Sequence, residues 1–268
     1  MQTNTHTYAT IVYHYLSYST TLQQLEFFMT YTSEYKLNTL IHQISGLNET
    51  DAIALLANAF RGEVVFSTSF NLEDQVITYL IHNNNIPVEI FTIDTGRLFE
   101  ETYHVWNRTN KKYNINIKAY YPQFNNLQEF IEANGPNAFY DSVQLRKECC
   151  YLRKVEPLQR ALKGKTILIT GLREEHLPEG RHVDKLEWDA INQVTKFHPL
   201  LHWSSEQVSS FIFENNIPYN ALHNKGFVNI GCAPCTRAIK PGEAYSAANW
   251  WWEKKPATEK TNAVYALY

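Results

Sequence analysis

The four cysteines of this 268-residue chain fall into two tight pairs. Cys149 and Cys150 are adjacent in KECCYLRK (147–154), and Cys232 and Cys235 form a Cys-x-x-Cys turn in GCAPCTR (231–237). Four thiolates are enough to hold zinc or an iron–sulfur cluster. A zinc site usually draws both pairs from Cys-x-x-Cys-like turns, because adjacent residues strain a small tetrahedron. A cube of four irons accepts neighbouring cysteines more easily. The bland alternative is four buried, unligated cysteines, and the pairing of every cysteine in the chain argues against that coincidence. Arg146, Lys147, Arg153, Lys154 and Arg237 surround the pairs. Cations there suit an anionic cluster, and equally a sulfate or phosphate beside it.

A second constellation lies in three polar turns, each following an apolar run. They are STSFNLED (67–74), DTGR (94–97) and TGLREEH (170–176). The first has the small hydroxyl residues Ser67 and Ser69 just before a helical pattern, the arrangement that cradles a phosphate on backbone N–H groups. Arg97 and Arg173 can reach an anion with paired hydrogen bonds. Taken singly, each turn reads equally well as an ordinary strand end with solvated arginines. Three of them on one edge favour a site for an anionic ligand.

The elements that must position these turns follow from the hydrophobic pattern. EVVFSTSF (63–70), VEIFTIDTG (88–96), INIKAYYP (115–122) and KTILITGLR (165–173) read as strands. Helical spacing runs through 37–60, with Asn48 or Thr50 as a cap after an interruption, and through LEDQVITYLIHNN (72–84), the stretch after DTGR, NLQEFIEAN, 144–162 and 204–216. Strands alternating with helices predict an α/β fold with a mostly parallel sheet flanked by helices, whose ligands sit beyond the carboxyl ends of the strands.

Composition narrows the class. The net charge of −3 gives no global basic surface, so a nucleic-acid partner is not expected. No run of residues has the length of a membrane span, and Lys36 is the first basic residue, so no positive leader opens the chain. A cytoplasmic location is expected, where thiols stay reduced and cysteine pairs serve metal or redox chemistry. Residues 1–33 are rich in Thr and Tyr and show little periodicity; they read as an extension, with Met29 as an alternative start.

The succession STSFNLED, DTGR, ECCYLRKVEPL, TGLR, IPYNALHNKGF, GCAPCTR and WWWE resembles the assimilatory adenylyl-sulfate reductases. These form a branch of the phosphoadenylyl-sulfate reductase family, within the adenine-nucleotide α-hydrolase-like (PP-loop) group. The resemblance covers roughly residues 60–253 and implies a reductase domain over 34–253. It implies a [4Fe–4S] cluster on Cys149, Cys150, Cys232 and Cys235. It implies nucleotide binding by the 67–74 loop (Ser67, Ser69 and Asp74) and Arg97, and phosphosulfate contacts from Lys154, Arg173 and Arg237. The implied reaction converts adenosine 5′-phosphosulfate to sulfite and AMP, with a separate thioredoxin as reductant. A tail cysteine attacks sulfur, AMP leaves, and thioredoxin releases sulfite from the S-sulfonate.

Two departures stand out. The family nucleophile lies in a Glu-Cys-Gly-(Leu/Ile)-His tail, whereas WWWEKKPATEKTNAVYALY (250–268) contains neither cysteine nor histidine. No catalytic residue is therefore assigned, and 254–268 is read as a tail without the motif. Asn71 stands where the family usually has glycine, which alters the backbone's approach to a phosphate. Two rivals follow: a non-catalytic [4Fe–4S] nucleotide-binding protein, and a PP-loop ligase that adenylates with ATP. The ligase ranks last because STSFNLED lacks the glycine pair of a Ser-Gly-Gly-x-Asp-Ser loop.

Overall fold

The computed structural model describes residues 40–177 and 180–253, so both the 1–33 extension and the 254–268 tail lie outside the described residues. The described residues 40–47 belong to one unit, a short helical turn closed by Ser45 N–H on Ile41 O at 3.2 Å. Residues 48–253 belong to a second unit, which carries the sheet and the site.

Six strands form one sheet: β1 (Val64–Ser67), β2 (Glu89–Ile93), β3 (Lys118–Tyr120), β4 (Ile167–Ile169), β5 (Leu186–Asp189) and β6 (Val194–Phe197). Their spatial order is β3-β2-β1-β4-β6-β5. All neighbours are parallel except β5, which pairs antiparallel with β6. The sheet is the mostly parallel one expected. The order runs backward through β3-β2-β1 and forward from β4, so the crevice between β1 and β4 is the switch point where such sheets bind ligands.

The helices are α1 (Glu49–Ala59), α2 (Leu72–Asn83), α3 (Glu100–Tyr113), α4 (Phe124–Asn134), α5 (Val143–Cys150), α6 (Glu156–Leu162) and α7 (Ser205–Glu214). Their starts obey the capping signals. Asn48 accepts the N–H of Asp51 at the head of α1, and Ser204 opens α7 with a reciprocal Ser–Gln207 box. Burial follows the apolar runs: Val65, Phe91 and Leu168 of the sheet pack against Leu158, Ala161 and Leu162 of α6. Full burial of a leucine such as Leu158 contributes about 1.5–3 kcal/mol. Among the described residues no helix is long and apolar enough to cross a membrane.

Two features were absent from the sequence reading. The β5–β6 hairpin turns without glycine or proline; Asp189 Oδ1 accepts the N–H groups of Ile191 and Asn192, and a buried Lys196–Asp189 ion pair at 2.9 Å fastens its base. Between α5 and α6 the ladder loosens into a π-helical turn over Tyr151–Val155. Hydrophobic period does not reveal such a turn, and π-turns cluster at functional sites.

Candidate functional site

The loop after β1 is built around Asp74. Its Oδ2 accepts the backbone N–H of Ser69 (2.8 Å) and of Asn71 (3.3 Å), so the carboxylate closes the loop from inside. Burial, reinforced by the neighbouring charge of Glu73, pushes the Asp74 carboxyl up to about 7 against the pull of those two N–H bonds. Phe70 takes φ +62°, a region that side chains other than glycine rarely adopt. Its N–H bond to Thr68 Oγ1 and its ring stack on Trp106 (5.6 Å) hold it there. Ser67, Ser69, Asn71 and Asp74 all face a cleft of about 870 Å³ that opens beyond the sheet edge.

The turn after β4 forms the opposite wall, through Thr170, Gly171 and Leu172. Gly171 packs against the head of α2 so closely that a Cβ would stand 2.7 Å from Asp74 Oδ1 and 2.9 Å from Glu73 Cβ. Gly171→Ala is expected to cost about 1–3 kcal/mol, the usual penalty of overpacking a tight contact. Urea unfolding checks it, and a midpoint equal to that of the parent would show that the turn yields freely.

Arg173 is not at the cleft. Its guanidinium is buried and pairs with Glu73 (2.7 Å) and Glu175 (2.5 Å), and it also donates to Trp203 O and Ser205 Oγ. Burial alone raises the Glu73 pKa, but the hydrogen bond and charge of His176 and the charge of Arg173 outweigh it and hold this carboxyl at about 2. Through these pairs the arginine braces the α2 head. Arg237 is likewise engaged, by both oxygens of Glu243 at 2.9 and 3.0 Å. The sequence signal for an anion-binding arginine could not reveal either partner. His176, stacked on Tyr245 at 4.4 Å, lines the cleft although the sequence reading gave it no role.

The two cysteine pairs meet. Cys149, Cys150, Cys232 and Cys235 border one small cavity of about 310 Å³, together with Arg97, Arg146, Arg153 and Lys154. Cys150, Cys232 and Cys235 also line the larger cleft, so the two spaces share a wall. None of the four is in a disulfide. Burial, above all, pushes the Cys150 thiol up to about 11 and raises Cys149 and Cys235 as well.

The π-turn puts the cations in place. It turns Arg153 onto Thr95 O (2.5 Å) and Lys154 into both spaces, with Lys154 Nζ near Gly231. Thr95 also accepts from Cys232 Sγ at 3.2 Å, which ties the turn after β2 to the second cysteine pair. Arg97 lies over the Phe139 ring (5.1 Å) and donates to Asn137 and to Pro136 O. It belongs to the cysteine cavity rather than to the cleft.

A family model described as the phosphoadenosine phosphosulfate reductase domain matches residues 63–238. The chain belongs to the phosphoadenosine phosphosulfate reductase family. Within that family it is 43% identical over 213 residues to an adenosine 5′-phosphosulfate reductase of Allochromatium vinosum, covering 79% of this chain and 83% of that one. It is 39% identical over 216 residues to one of Agrobacterium fabrum, covering 81% and 83%. Among solved structures, the phosphoadenylyl-sulfate reductase of Candida auris, a phosphate complex, superposes with a TM-score of 0.63 at 28% identity. That match covers 75% of this chain and 95% of that one. The mostly parallel sheet flanked by helices agrees with the α/β fold expected from the sequence.

Proposed function

We infer that this protein is an adenylyl-sulfate reductase of sulfate assimilation, acting on adenosine 5′-phosphosulfate with a separate thioredoxin as reductant. One observation carries the reading. Both cysteine pairs converge on a cavity sharing a wall with the switch-point cleft, in a chain with relatives at 39% and 43% identity that are named for that substrate.

The donor set fits a [4Fe–4S] cluster. Four thiols with no disulfide partner face one space, and three arginines and a lysine offset the negative charge they would carry. Among the described residues no three His, Cys, Asp or Glu side chains converge closely enough for a single metal ion. When bound, the cluster would supply structural anchoring and a polarising charge beside the ligand. The chain's own residues do the rest. Ser67 and Ser69, on the loop that Asp74 closes from inside, receive the nucleotide's α-phosphate, and Lys154 offsets the sulfate charge between cleft and cavity. Arg97, Arg173 and Arg237 act from behind by holding the walls.

In the reaction a thiolate bonds to the sulfate sulfur, the S–O bond to AMP breaks, and AMP carries away the electron pair. Thioredoxin's dithiol then gives two electrons, releases sulfite and becomes a disulfide. A second reading is favoured by the cysteine inventory: all four thiols of the sequence lie in the two pairs. On that reading the chain binds nucleotide and cluster without turnover.

Substrate choice provides the test. Adenosine 5′-phosphosulfate should bind more tightly than its 3′-phosphorylated form. The motive is the four-cysteine set together with the higher identity to the relatives named for the substrate without a 3′-phosphate. Equilibrium titration of both nucleotides decides it, and a clear preference for the 3′-phosphorylated form overturns the assignment.

A further inference from the structure

Three asparagines on the wall of the cleft join the nucleotide loop to the second cysteine pair. Asn71, at the head of α2, accepts the Ile230 N–H on Oδ1 (2.8 Å) and donates from Nδ2 to Ile230 O (3.3 Å) and Asn229 Oδ1 (3.5 Å). Asn229 donates from Nδ2 to Asn249 Oδ1 at 3.1 Å. Asn249 in turn donates to Thr236 Oγ1 (3.4 Å) and Cys235 O (3.5 Å). Thr236 Oγ1 donates to Cys232 O (2.9 Å) and accepts the Gly231 N–H (3.2 Å).

The path is continuous. It leaves the loop at residue 71, crosses to 229–230, passes through 249 and ends on both sides of the Cys-x-x-Cys turn. A glycine at 71 has no side chain for the first link. The amide is well suited to it, because one planar group accepts the N–H and donates to the C=O of a single residue, Ile230. All three asparagines border the cleft, so an occupant changes the surroundings of the relay directly. Chains of hydrogen bonds among partly buried amides reinforce one another, which makes a shift at one end felt at the other.

We propose that Asn71, Asn229 and Asn249 are positioning residues that couple the occupancy of the nucleotide loop to the geometry of the Cys232–Cys235 turn. The proposal deepens the nucleotide- and metal-binding reading above. Coupling between two sites is reciprocal: if nucleotide changes how the turn holds its metal, the metal changes nucleotide affinity by the same factor.

The test uses AMP as the probe. Its dissociation constant is measured by calorimetry on iron-loaded and on metal-free protein, for the parent, Asn229→Ala, Asn249→Ala and Asn249→Asp. The Asp variant keeps the acceptor for Asn229 but not the donor toward Cys235 and Thr236, so it probes the link with little change of shape. The parent should show a ratio of about five or more between the two states, the lower end of ordinary coupling. The variants should bring the ratio to near one with iron content unchanged. A parallel arm on metal-free protein follows alkylation of Cys235 by mass spectrometry. AMP should change its rate several-fold in the parent and not in the variants.

The outcomes separate. Equal ratios in parent and variants, or equal AMP effects on alkylation, overturn the relay and point to direct shielding of the thiols by the nucleotide. A parent that takes up no iron defeats the cluster reading, and the alkylation arm then decides the relay alone. A parent that binds no AMP overturns both.

Discussion

Cys232→Ser protein, purified without oxygen, should contain almost no iron where the parent holds about four per chain. A serine hydroxyl is a poor replacement for thiolate at iron, and the other three cysteines cannot close a cube's coordination alone. The loss should extend beyond the metal. Cys232 is buried, starts the short turn over Ala233–Cys235, and forms an isolated bridge with Leu98. Metal binding to such turns is coupled to folding, so the segment around both pairs should open. Iron analysis, the broad absorbance near 400 nm typical of such clusters, and proteolysis around residue 232 are the measurements. Stoichiometric zinc without iron in the parent, or full iron in the variant, would refute the assignment.

The second large effect concerns turnover. The 268 residues hold no thiol outside the two cysteine pairs, so with adenosine 5′-phosphosulfate and thioredoxin they are expected to bind nucleotide and form no cysteine S-sulfonate unless a further thiol is supplied. Attack on sulfur needs a thiolate with freedom to move. Cys149, Cys150 and Cys232 are buried, and on the cluster reading each of the four could react only by giving up iron. Thr258 and Thr261, hydroxyl residues in the tail, are far weaker nucleophiles at neutral pH. Grafting Glu-Cys-Gly-Leu-His after residue 260 should restore thioredoxin-dependent sulfite release from near zero, since the cation-lined cavity is already present. Sulfite assay and intact-mass detection of the adduct compare the two proteins. Robust turnover by the parent would show that the nucleophile lies elsewhere; an inert graft with iron and nucleotide both bound would favour the non-catalytic reading.

Much of the candidate site's arrangement is legible in the sequence, for identifiable reasons. The turns after β1 and β4 were visible because small polar residues follow apolar runs, and the sheet's topology brings them to one crevice. The cysteines stood out by pairing. The ion pair of Arg173 is not legible in the sequence, because its partner Glu73 is 100 residues away and nothing local announces it. Arg237 has its carboxylate only six residues on, at Glu243, but a β-bridge between Thr236 and Asn249 is needed to fold that hairpin-like segment back. The asparagine relay was invisible for the same reason: three ordinary polar residues acquire a role only when segments around 71, 229 and 249 adjoin. The π-turn carries no periodic signature at all, yet it aims Arg153 and Lys154.

The end of the described chain is itself pinned. Arg146 grips both oxygens of Glu253, at 2.7 and 3.0 Å, and lies over the Trp250 ring at 4.4 Å. Because Arg146 also borders the cysteine cavity, whatever is bonded after residue 253 starts from a fixed post beside it. A thiol on a short leash from that post is no longer a bimolecular reactant. The reach of a grafted end group grows by at most roughly 3.3–3.6 Å per residue, and short flexible linkers in general present an end group at effective concentrations on the order of millimolar. Cutting the Arg146–Glu253 fork would lengthen the leash and dilute the end group without touching any residue of the cleft.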